Sequence, residues 1–282
     1  MYRQTSLDPV DYLVIGHVTL DMTPAGLRLG GTAAYASLTA RALGFRVGII
    51  TSWGAELPLG PLADIPLINL SAEKSTTFEN IPTPEGRIQF IHHVAQNLDL
   101  NLIPELWLKC PVVHLGPVAQ EVEPTLVRHF TNSLIGLTPQ GWLRVWDKDG
   151  RVTATEWPEA GFVLRQVGAA VISAEDVDHD ESRIEELAAS CRVLAVTEHA
   201  EGVRLFWNGD VRRFRPAEIK VVDSTGAGDI FAAAFFYRMY TTRDPWESAR
   251  FATQLSALSV TRPGLEAIPT HEEIKDCMAE VL

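Results

Sequence analysis

The sequence predicts an α/β protein in which helices cover both faces of a mostly parallel sheet. Short β-rich segments alternate with helical segments along most of the 282 residues, a pattern typical of parallel sheets. A hydrophobic fraction of 46% and a charged fraction of 21% indicate a folded chain with a large core. This length suits one large domain with a small addition, and we expect residues 1–282 to form a single domain.

The predicted strands are short and apolar, which suits burial inside a parallel sheet. Strands are expected at residues 12–16, 47–51, 112–115, 143–146, 169–172 and 193–196. Helices are expected at residues 32–43, 124–130, 181–190, 229–240, 245–260 and 271–281. Two helices carry start signals: Asp244 precedes a proline at the first helical position, and Thr270 with Glu273 matches a capping box.

Two segments interrupt this alternation. Residues 76–93 contain two β-rich runs around the polar sequence Pro-Thr-Pro-Glu-Gly at 82–86, which predicts a hairpin. Residues 18–29, which include Pro24 and Gly26, are also expected to be extended. These strands either cover a ligand or form an edge hairpin that contacts none.

Composition argues against several classes of protein. The cysteines Cys110, Cys191 and Cys277 are far apart, which favours a reducing cytoplasm over a disulfide framework or a zinc site. A net charge of -12 disfavours non-specific nucleic-acid binding. The apolar stretches are too short to span a bilayer, and the first residues lack the apolar segment of a secretory signal. We therefore expect a cytoplasmic protein without nucleic-acid or membrane partners.

The most informative segment is the small-residue loop 223–229, which follows the end of a short β-branched strand at residues 221–222 and opens an apolar helix. Gly226 and Gly228 let the backbone bend, so that several N–H groups converge at the positive end of the helix and favour an anion. A carboxylate beside an anion site suits a proton acceptor, which phosphoryl transfer to a hydroxyl requires, so Asp229 is a candidate catalytic base. Alternatively, Asp229 is an ordinary first-turn residue of the helix.

Two other phosphate-binding loops do not fit this segment. A Walker A loop ends in Gly-Lys-Ser/Thr, and the sequence contains no Gly-Lys pair. A dinucleotide-binding loop needs a small residue where this chain has Phe231.

The segment resembles the signature Asp-Thr-x-Gly-Ala-Gly-Asp of the PfkB-type, ribokinase-like carbohydrate kinases, with Ser224 in place of the threonine. The similarity extends over residues 12–269. It implies a three-layer α/β/α sandwich with a small β-strand lid at residues 17–29 and 74–95. It also implies ATP and Mg²⁺ as cofactors, a monovalent cation in some members, and a monomer or a homodimer through the lid.

The resemblance also assigns roles around the loop. Asp229 is expected to accept the proton of the acceptor hydroxyl. The backbone N–H groups of Gly226, Ala227 and Gly228 are expected to stabilise the γ-phosphoryl group during transfer.

The acceptor-binding residues are expected near the amino terminus. Gly30 and Gly31 allow close approach of a ligand to the backbone, although a plain strand–turn–helix connection has the same sequence pattern. The family has an asparagine a few residues later, whereas this chain has Tyr35 as the candidate hydrogen-bond partner. Asp21 follows the first strand, where a carboxylate suits neighbouring hydroxyls. Arg87, on the predicted hairpin, reaches either the substrate or solvent.

The donor-binding residues are expected near the end of the strand at 193–196. The segment 197–202 resembles the Thr-x-Gly-x-x-Gly nucleotide loop, except that His199 replaces its middle glycine. The predicted cofactor-binding residues are Thr197, Gly202, Asp223 and Thr225.

An acidic pair is the candidate magnesium site. Aligning Ser173 with the asparagine of the family motif Asn-x-x-Glu places Asp176 at the glutamate position, next to Glu175. Either acid suits magnesium-bound water. Both also fit an ordinary helix start.

The sequence therefore predicts an ATP-dependent kinase that phosphorylates a hydroxyl of a sugar or polyol. The residues around Gly30 and Ser173 resemble those of inositol-kinase-like members, which implies a polyol such as inositol. The alternatives are a nucleoside kinase of the adenosine type, and a non-catalytic sugar- or nucleotide-binding protein with the same fold.

Overall fold

The computed structural model of this chain describes residues 8–24, 26–83 and 86–279, without the side chains of Pro82 and Arg87. The strands, numbered in chain order, are β1 (Tyr12–Ile15), β2 (Thr19–Thr23), β3 (Gly26–Gly30), β4 (Val47–Trp53), β5 (Leu67–Ser71), β6 (Thr77–Thr83), β7 (Gly86–His93), β8 (Val112–Leu115), β9 (Leu134–Leu137), β10 (Arg144–Trp146), β11 (Val152–Ala154), β12 (Ala169–Ser173), β13 (Val193–Thr197), β14 (Val203–Trp207) and β15 (Asp210–Phe214). The α-helices are α1 (Thr32–Ala42), α2 (Ala160–Leu164), α3 (Glu181–Ser190), α4 (Ala227–Thr242), α5 (Pro245–Ser259) and α6 (His271–Met278).

Nine strands form the main sheet, in the order β15-β14-β13-β12-β9-β8-β1-β4-β5. The strands from β13 to β5 run parallel, and β14 and β15 are antiparallel to their neighbours. The predicted mostly parallel sheet is thus confirmed. The carboxyl ends of its parallel strands share one edge, which is where open α/β sheets bind their ligands.

The core is divided between the two faces of this sheet. In β1, Tyr12 and Val14 join the cluster packed against α1, α4 and α5, whereas Leu13 and Ile15 join the opposite cluster with α2 and α3. This alternation follows from the two-residue period of a strand. Because both faces are buried, the strands read as continuous apolar runs, and the chain forms three layers.

The helix start signals are confirmed. The side chain of Asp244 accepts hydrogen bonds from the first turn of α5, and Thr270 with Glu273 forms the capping box of α6. Helix α6 ends at Met278, and residues 280 and 281 of the predicted helix lie outside the described residues.

The prediction of a main-sheet strand at residues 143–146 is wrong. Strand β10 pairs with β11 in a separate two-stranded sheet, and β9 occupies the position between β8 and β12. Strand β9 carries a weak β signal because it contains Gly136, where a Cβ would lie 2.4 Å from the ring of Phe236 on α4.

Two further predictions differ from the structure. Residues 124–130 form a short 3-10 helix at Pro124–Arg128, and not an α-helix. Val221 and Val222, interpreted as the end of a strand, are outside any strand and about 60% exposed. The N–H group of Val222 donates to the carbonyl of Val260 at 2.8 Å. Its hydrogen-bond partner is therefore the residue that follows α5, and not a neighbouring strand.

A second, four-stranded sheet has the order β3-β2-β6-β7 and lies within the segments expected to form the lid, except that β3 ends at Gly30. We call it the small sheet. Phe78 and Ile91 on its inner face pack against Val118 and Ala119. The predicted turn at residues 82–86 falls partly on residues 84 and 85, which lie outside the described residues.

Candidate active site

The loop before α4 has a conformation that requires glycine at one position. Gly226, the residue before the helix, adopts φ 78° and ψ -4°, a left-handed conformation that other residues rarely take. A Cβ on Gly226 would lie 2.3 Å from the ring of Tyr35. Among the described residues, and apart from neighbouring residues and the backbone of α4 itself, no atom lies within 4 Å of the corresponding position on Gly228. The space above Gly228 is therefore open to a ligand.

Two hydrogen bonds to the side chain of Asp223 hold this loop in place. The carboxylate of Asp223 accepts hydrogen bonds from the N–H groups of Thr225 at 2.9 Å and Gly264 at 3.0 Å. Burial acts to raise the pKa of Asp223, but these hydrogen bonds outweigh it and leave the pKa below its usual value. Asp223, predicted to bind the cofactor, thus joins the α4 loop to the loop after α5.

One donor of the predicted anion site is already engaged. The N–H group of Ala227 donates to the carbonyl of Ser224 at 3.2 Å, which closes a turn. The N–H groups of a first helical turn have no carbonyl partner within the helix. The loop therefore presents its remaining amides, with the positive end of the α4 dipole, toward the open space above Gly228.

Asp229 lies in the first turn of α4 and is half-buried. Burial raises its pKa to about 6, against the hydrogen bond from Thr32 and the positive charge of Arg144, whereas the charge of Asp176 adds to the rise. A carboxyl group with this pKa is ionised at pH 7 and accepts a proton more readily than an ordinary aspartate.

The partner of Asp229 is placed by the glycine pair at the start of α1. Gly31 has φ 84°, and a Cβ there would lie 2.7 Å from the carbonyl oxygen of His17. The chain therefore turns tightly from β3 into α1, where the hydroxyl of Thr32 donates to Oδ1 of Asp229 at 2.6 Å. A Cβ on Gly30 would lie 2.3 Å from the carboxylate of Asp21. The glycines thus permit close packing at the site.

A cleft of about 530 Å³ lies between the small sheet and the loops before α4 and after α5. It brings together residues from both ends of the chain, among them Asp21, Arg28, Tyr35, Asn80, Asp223, Thr225, Gly264 and Glu266. Three carboxylates and one guanidinium make the charge of this lining negative.

Asp21 and Tyr35, two of the predicted substrate-binding residues, line this cleft. Asp21 lies in the middle of β2 opposite Arg28, and not in a loop. The ring of Tyr35 is only 2% exposed and packs on Ile230 and Ala267, and burial raises the pKa of its hydroxyl group. The side chain of Arg87 lies outside the described residues.

The cofactor-binding prediction divides into two places. Thr225 and Asp223 line the cleft. Thr197 is the last residue of β13, and Gly202 directly precedes β14. The Thr197 hydroxyl donates to the carbonyl of Ile172 at 3.3 Å. Gly202 has φ 88°, and a Cβ there would lie 2.0 Å from the carbonyl oxygen of Phe214. Both residues have visible structural roles.

The acidic pair at the end of β12 has hydrogen-bond partners within the protein. Asp176 accepts from the N–H group of Ser173 at 2.8 Å and from the side chain of Gln140 at 3.1 Å. The carboxylate of Glu175 lies 2.8 Å from Nε2 of His199, which is a hydrogen-bond distance. His199 replaces the glycine of the family motif and adopts φ 48°, so the backbone keeps a glycine-like conformation there.

Arg144 is a site residue that the sequence analysis missed. It is 9% exposed, its guanidinium carbon lies 5.9 Å from the centre of the Phe78 ring, and its charge lowers the pKa of Asp229. A single arginine without periodic neighbours gives no sequence signal, and its segment was expected in the main sheet.

The described residues contain no helix of the length and hydrophobicity needed to cross a membrane. Among them there is also no group of three or more His, Cys, Asp or Glu side chains that suits a metal ion.

Together, a helix N-terminus open to an anion and a carboxylate of raised pKa beside a negatively charged cleft suit the transfer of a phosphoryl group to a hydroxyl. Comparison with known proteins identifies the class. A pyrophosphate-dependent kinase of the ribokinase family, in complex with a pyrophosphate analogue and myo-inositol, superimposes with a TM-score of 0.77 at 18% identity, over 94% of this chain and 99% of the other. The chain therefore has the ribokinase fold.

The sequence comparisons also find kinases. The pfkB family carbohydrate kinase model matches residues 162–272. A cytidine kinase of Thermococcus kodakarensis is 27% identical, over 80% of this chain and 87% of its own length. An inositol 3-kinase of Oryza sativa subsp. japonica is 24% identical, over 94% of this chain and 71% of its own length. Residues 162–272 thus match the PfkB family of carbohydrate kinases, and the kinase relatives identify the chain as a phosphotransferase.

Proposed function

We propose that this enzyme transfers the γ-phosphoryl group of ATP to a hydroxyl of a small neutral polyol of the inositol type. The proposal rests chiefly on Asp229, which combines a raised pKa, a fixed orientation from Thr32 and a position beside the open N-terminus of α4. ATP is the donor typical of the family.

In the proposed reaction, the acceptor hydroxyl lies between Asp229 and the transferring phosphorus atom. Its oxygen forms a bond to phosphorus while the bond from phosphorus to the bridging oxygen of ADP breaks. The hydroxyl proton passes to Asp229, and ADP leaves with the bridging oxygen. A positioned proton acceptor contributes a factor on the order of 10²–10⁴ in rate.

Negative charge on the transferring group is stabilised by the loop before α4. We assign this role to the amides of Gly226 and Gly228 and to the dipole of α4, beside the open space above Gly228. The amide of Ala227, which now donates to Ser224, contributes if that turn opens when the donor binds.

Glu175 and Asp176 are the proposed holders of magnesium. Asp176 already accepts two hydrogen bonds, so the pair fits a magnesium ion that keeps most of its water molecules. A bound magnesium ion would neutralise charge on the donor phosphates.

The charge of the cleft favours a neutral acceptor. Asp21, Asp223 and Glu266 outnumber Arg28 in its lining, and like charges repel a phosphorylated sugar. The oxygens of Asp21 suit two hydroxyl donors. We propose that the small sheet, which carries Asp21 and Asn80, acts as a lid over this acceptor.

Tyr35 is the one aromatic residue in the described lining of the cleft. The ring of Tyr35 is buried. Phe90 pairs with Glu79, next to the pair of Gln89 with Asn80. Because successive residues of a strand point to opposite faces, and Asn80 lines the cleft, Phe90 lies on the other face. A polyol therefore suits the cleft better than a nucleoside.

A nucleoside acceptor is the second candidate, because the matched cytidine kinase covers 80% of this chain. The test is product formation from magnesium-ATP, and separately from magnesium-pyrophosphate, with myo-inositol, fructose, ribose, cytidine and adenosine. We expect turnover with ATP and myo-inositol, and its loss in Asp229→Asn. Turnover with cytidine alone would mean that the acceptor is a nucleoside and not a polyol. Turnover with pyrophosphate alone would mean that the donor is pyrophosphate and not ATP. Activity of Asp229→Asn within about tenfold of the parent would mean that Asp229 is not the catalytic base.

Cation dependence and oligomeric state are tested by two further measurements. Replacing potassium with sodium or tetramethylammonium measures dependence on a monovalent cation. Sedimentation of the active enzyme decides between a monomer and a homodimer.

A further inference from the structure

Arg144 is a buried cation that the proposed reaction has not yet used. It is the first residue of β10 and is 9% exposed. Its backbone carbonyl accepts a hydrogen bond from the side chain of Gln120 at 2.5 Å. The neighbouring carbonyl of Leu143 accepts from the N–H group of Thr155 at 2.9 Å. Burying a charged group costs free energy, so the fold maintains this cation at the carboxyl edge of the sheet at a cost.

The small sheet and the sheet edge surround the guanidinium group. Phe78, on the inner face of the small sheet, has its ring centre 5.9 Å from the guanidinium carbon, within the range of a cation–π contact. The 3-10 helix at Pro139–Leu143 leads directly into Arg144 and carries Gln140, which donates to Asp176. Arg144 thus lies beside the small sheet and directly after the segment that contacts Asp176, and its charge acts on Asp229.

We propose that Arg144 is a catalytic residue whose guanidinium group binds the terminal phosphoryl group of the donor on the side away from the N-terminus of α4. This inference rests on the proposed kinase function. The planar guanidinium group presents several N–H donors in a geometry that matches two phosphate oxygens. In this arrangement, Arg144 and the α4 amides neutralise the transferring group from opposite sides.

The arrangement also couples closure of the small sheet to catalysis. Phe78 pairs with Asp21 in the register of β2 and β6, and Asp21 lines the acceptor cleft. The contact between Phe78 and Arg144 therefore joins the acceptor side of the site to its phosphoryl-binding side.

The test compares Arg144→Met and Arg144→Lys with the exposed Arg151→Met in the same hairpin. Binding is measured by calorimetry with magnesium, using ADP and the non-hydrolysable ATP analogue AMP-PNP. In Arg144→Met we expect AMP-PNP to bind at least about tenfold more weakly, since a hydrogen bond to a charged group is lost, while the affinity for ADP stays within about twofold. Arg144→Lys retains part of the AMP-PNP affinity, and Arg151→Met retains all of it.

Turnover gives the second readout. We expect kcat/KM of Arg144→Met to fall by about 10³-fold, as for other arginines that contact a transferring phosphoryl group. The acid limb of kcat/KM also moves to higher pH, because the pKa of Asp229 rises when the positive charge of Arg144 is lost. Burial and the negative charge of Asp176, which raise this pKa, remain, and Tyr12 and Tyr35 are the other titratable groups nearby.

Unchanged AMP-PNP affinity in a folded Arg144→Met, with reduced kcat, overturns the inference and makes Arg144 a positioning residue of Asp229. If Arg144→Met does not fold, the AMP-PNP affinity of Arg144→Lys decides, and an affinity equal to the parent overturns it. Failure of the proposed function has a different signature: the parent protein itself shows no turnover. If the parent binds pyrophosphate but no nucleotide, pyrophosphate replaces AMP-PNP and phosphate replaces ADP, with the same expected tenfold loss.

Discussion

The hydroxyl of Thr32 donates a hydrogen bond of 2.6 Å to Oδ1 of Asp229, across 197 residues of sequence. This contact joins the N-terminus of α1 to the N-terminus of α4, so that two helix starts converge on one carboxylate. It fixes one oxygen of the carboxylate and leaves the other available for a proton. The contact also favours the ionised form of Asp229 and lowers its pKa against the effect of burial.

Removing the Thr32 hydroxyl is expected to move the pH dependence of the reaction. Asp229 must be ionised to accept a proton, so activity rises with pH through its pKa of about 6. Without the hydrogen bond that pKa rises, and in Thr32→Val the acid limb of kcat/KM therefore moves to higher pH. The measurement is a pH profile of kcat/KM from pH 5 to 8.

The matched control is Thr39→Val in the same helix. Thr39 is also buried, and within the described residues its hydroxyl has no hydrogen-bond partner. Its profile should coincide with that of the parent. An acid limb in Thr32→Val that stays in place would mean that the hydrogen bond does not act on the base.

The two loop glycines are expected to respond to alanine in opposite ways. Gly226→Ala forces a left-handed conformation, at about 1–2 kcal/mol, and places a methyl group 2.3 Å from the ring of Tyr35. We expect a clear loss of thermal stability. Gly228→Ala meets no atom within 4 Å and gains helix propensity of up to about 1 kcal/mol.

The same Gly228→Ala substitution fills the space in which a phosphoryl group would lie. We expect its melting temperature to equal or exceed that of the parent. Turnover should fall on the order of 10²-fold, because the methyl group keeps the phosphoryl group from this amide and so has an effect like that of losing one anion-stabilising donor. Thermal melts and initial rates on the same samples measure both effects. Full activity of a stable Gly228→Ala enzyme would mean that no ligand approaches this amide.

His114 is expected to reduce stability in mild acid. Its ring is buried in β8, bonded to the hydroxyl groups of Tyr12 and Thr138, both at 3.0 Å, and burial lowers its pKa to about 3. The unfolded chain binds this proton near pH 6.5, but the folded one does not. The contribution of His114 is therefore present above pH 6.5 and is lost progressively as pH falls from 6.5 toward 3.

The measurement is the free energy of unfolding in urea between pH 7 and pH 4. His114→Gln lowers stability at every pH, because it disturbs a buried network, but we expect its pH dependence to be flatter by up to about 1.4 kcal/mol per pH unit. The exposed His129→Gln serves as the control. Equal slopes in His114→Gln and the parent would show that the histidine takes up its proton in the folded state.

Most of the fold was predictable because its signals are local. The caps at Asp244 and Thr270 and the apolar runs of β1 and β13 each act over a few residues. Strand β9 was missed because it contains Gly136, which weakens the local β signal. This glycine is required by Phe236, a residue 100 positions away whose ring occupies the space of a side chain.

The candidate site was predictable to a similar degree. The glycine loop and Asp229 stand together in the sequence, and their local chemistry indicates an anion site. The partner Thr32 and the cation Arg144 arrive from distant segments, and only the packing of β10 beside the small sheet brings Arg144 to the base. Asp21 lines the cleft, but its place within β2 depends on pairing with Arg28, which the sequence does not reveal.

Asp21 is expected to determine affinity for the acceptor. Its carboxylate lines the cleft and packs against Gly30, and the two oxygens of a carboxylate can each accept a hydrogen bond from a hydroxyl group. Asp21→Asn replaces one acceptor by a donor, so a bound hydroxyl loses its partner. We expect KM for the acceptor to rise about tenfold or more, while KM for the donor stays the same. The control is Glu79→Gln, since Glu79 pairs with Met22 on the neighbouring position of β2 and contacts His92 at 2.9 Å. An equal rise in both Michaelis constants would place Asp21 in the general stability of the small sheet, and not in recognition of the acceptor.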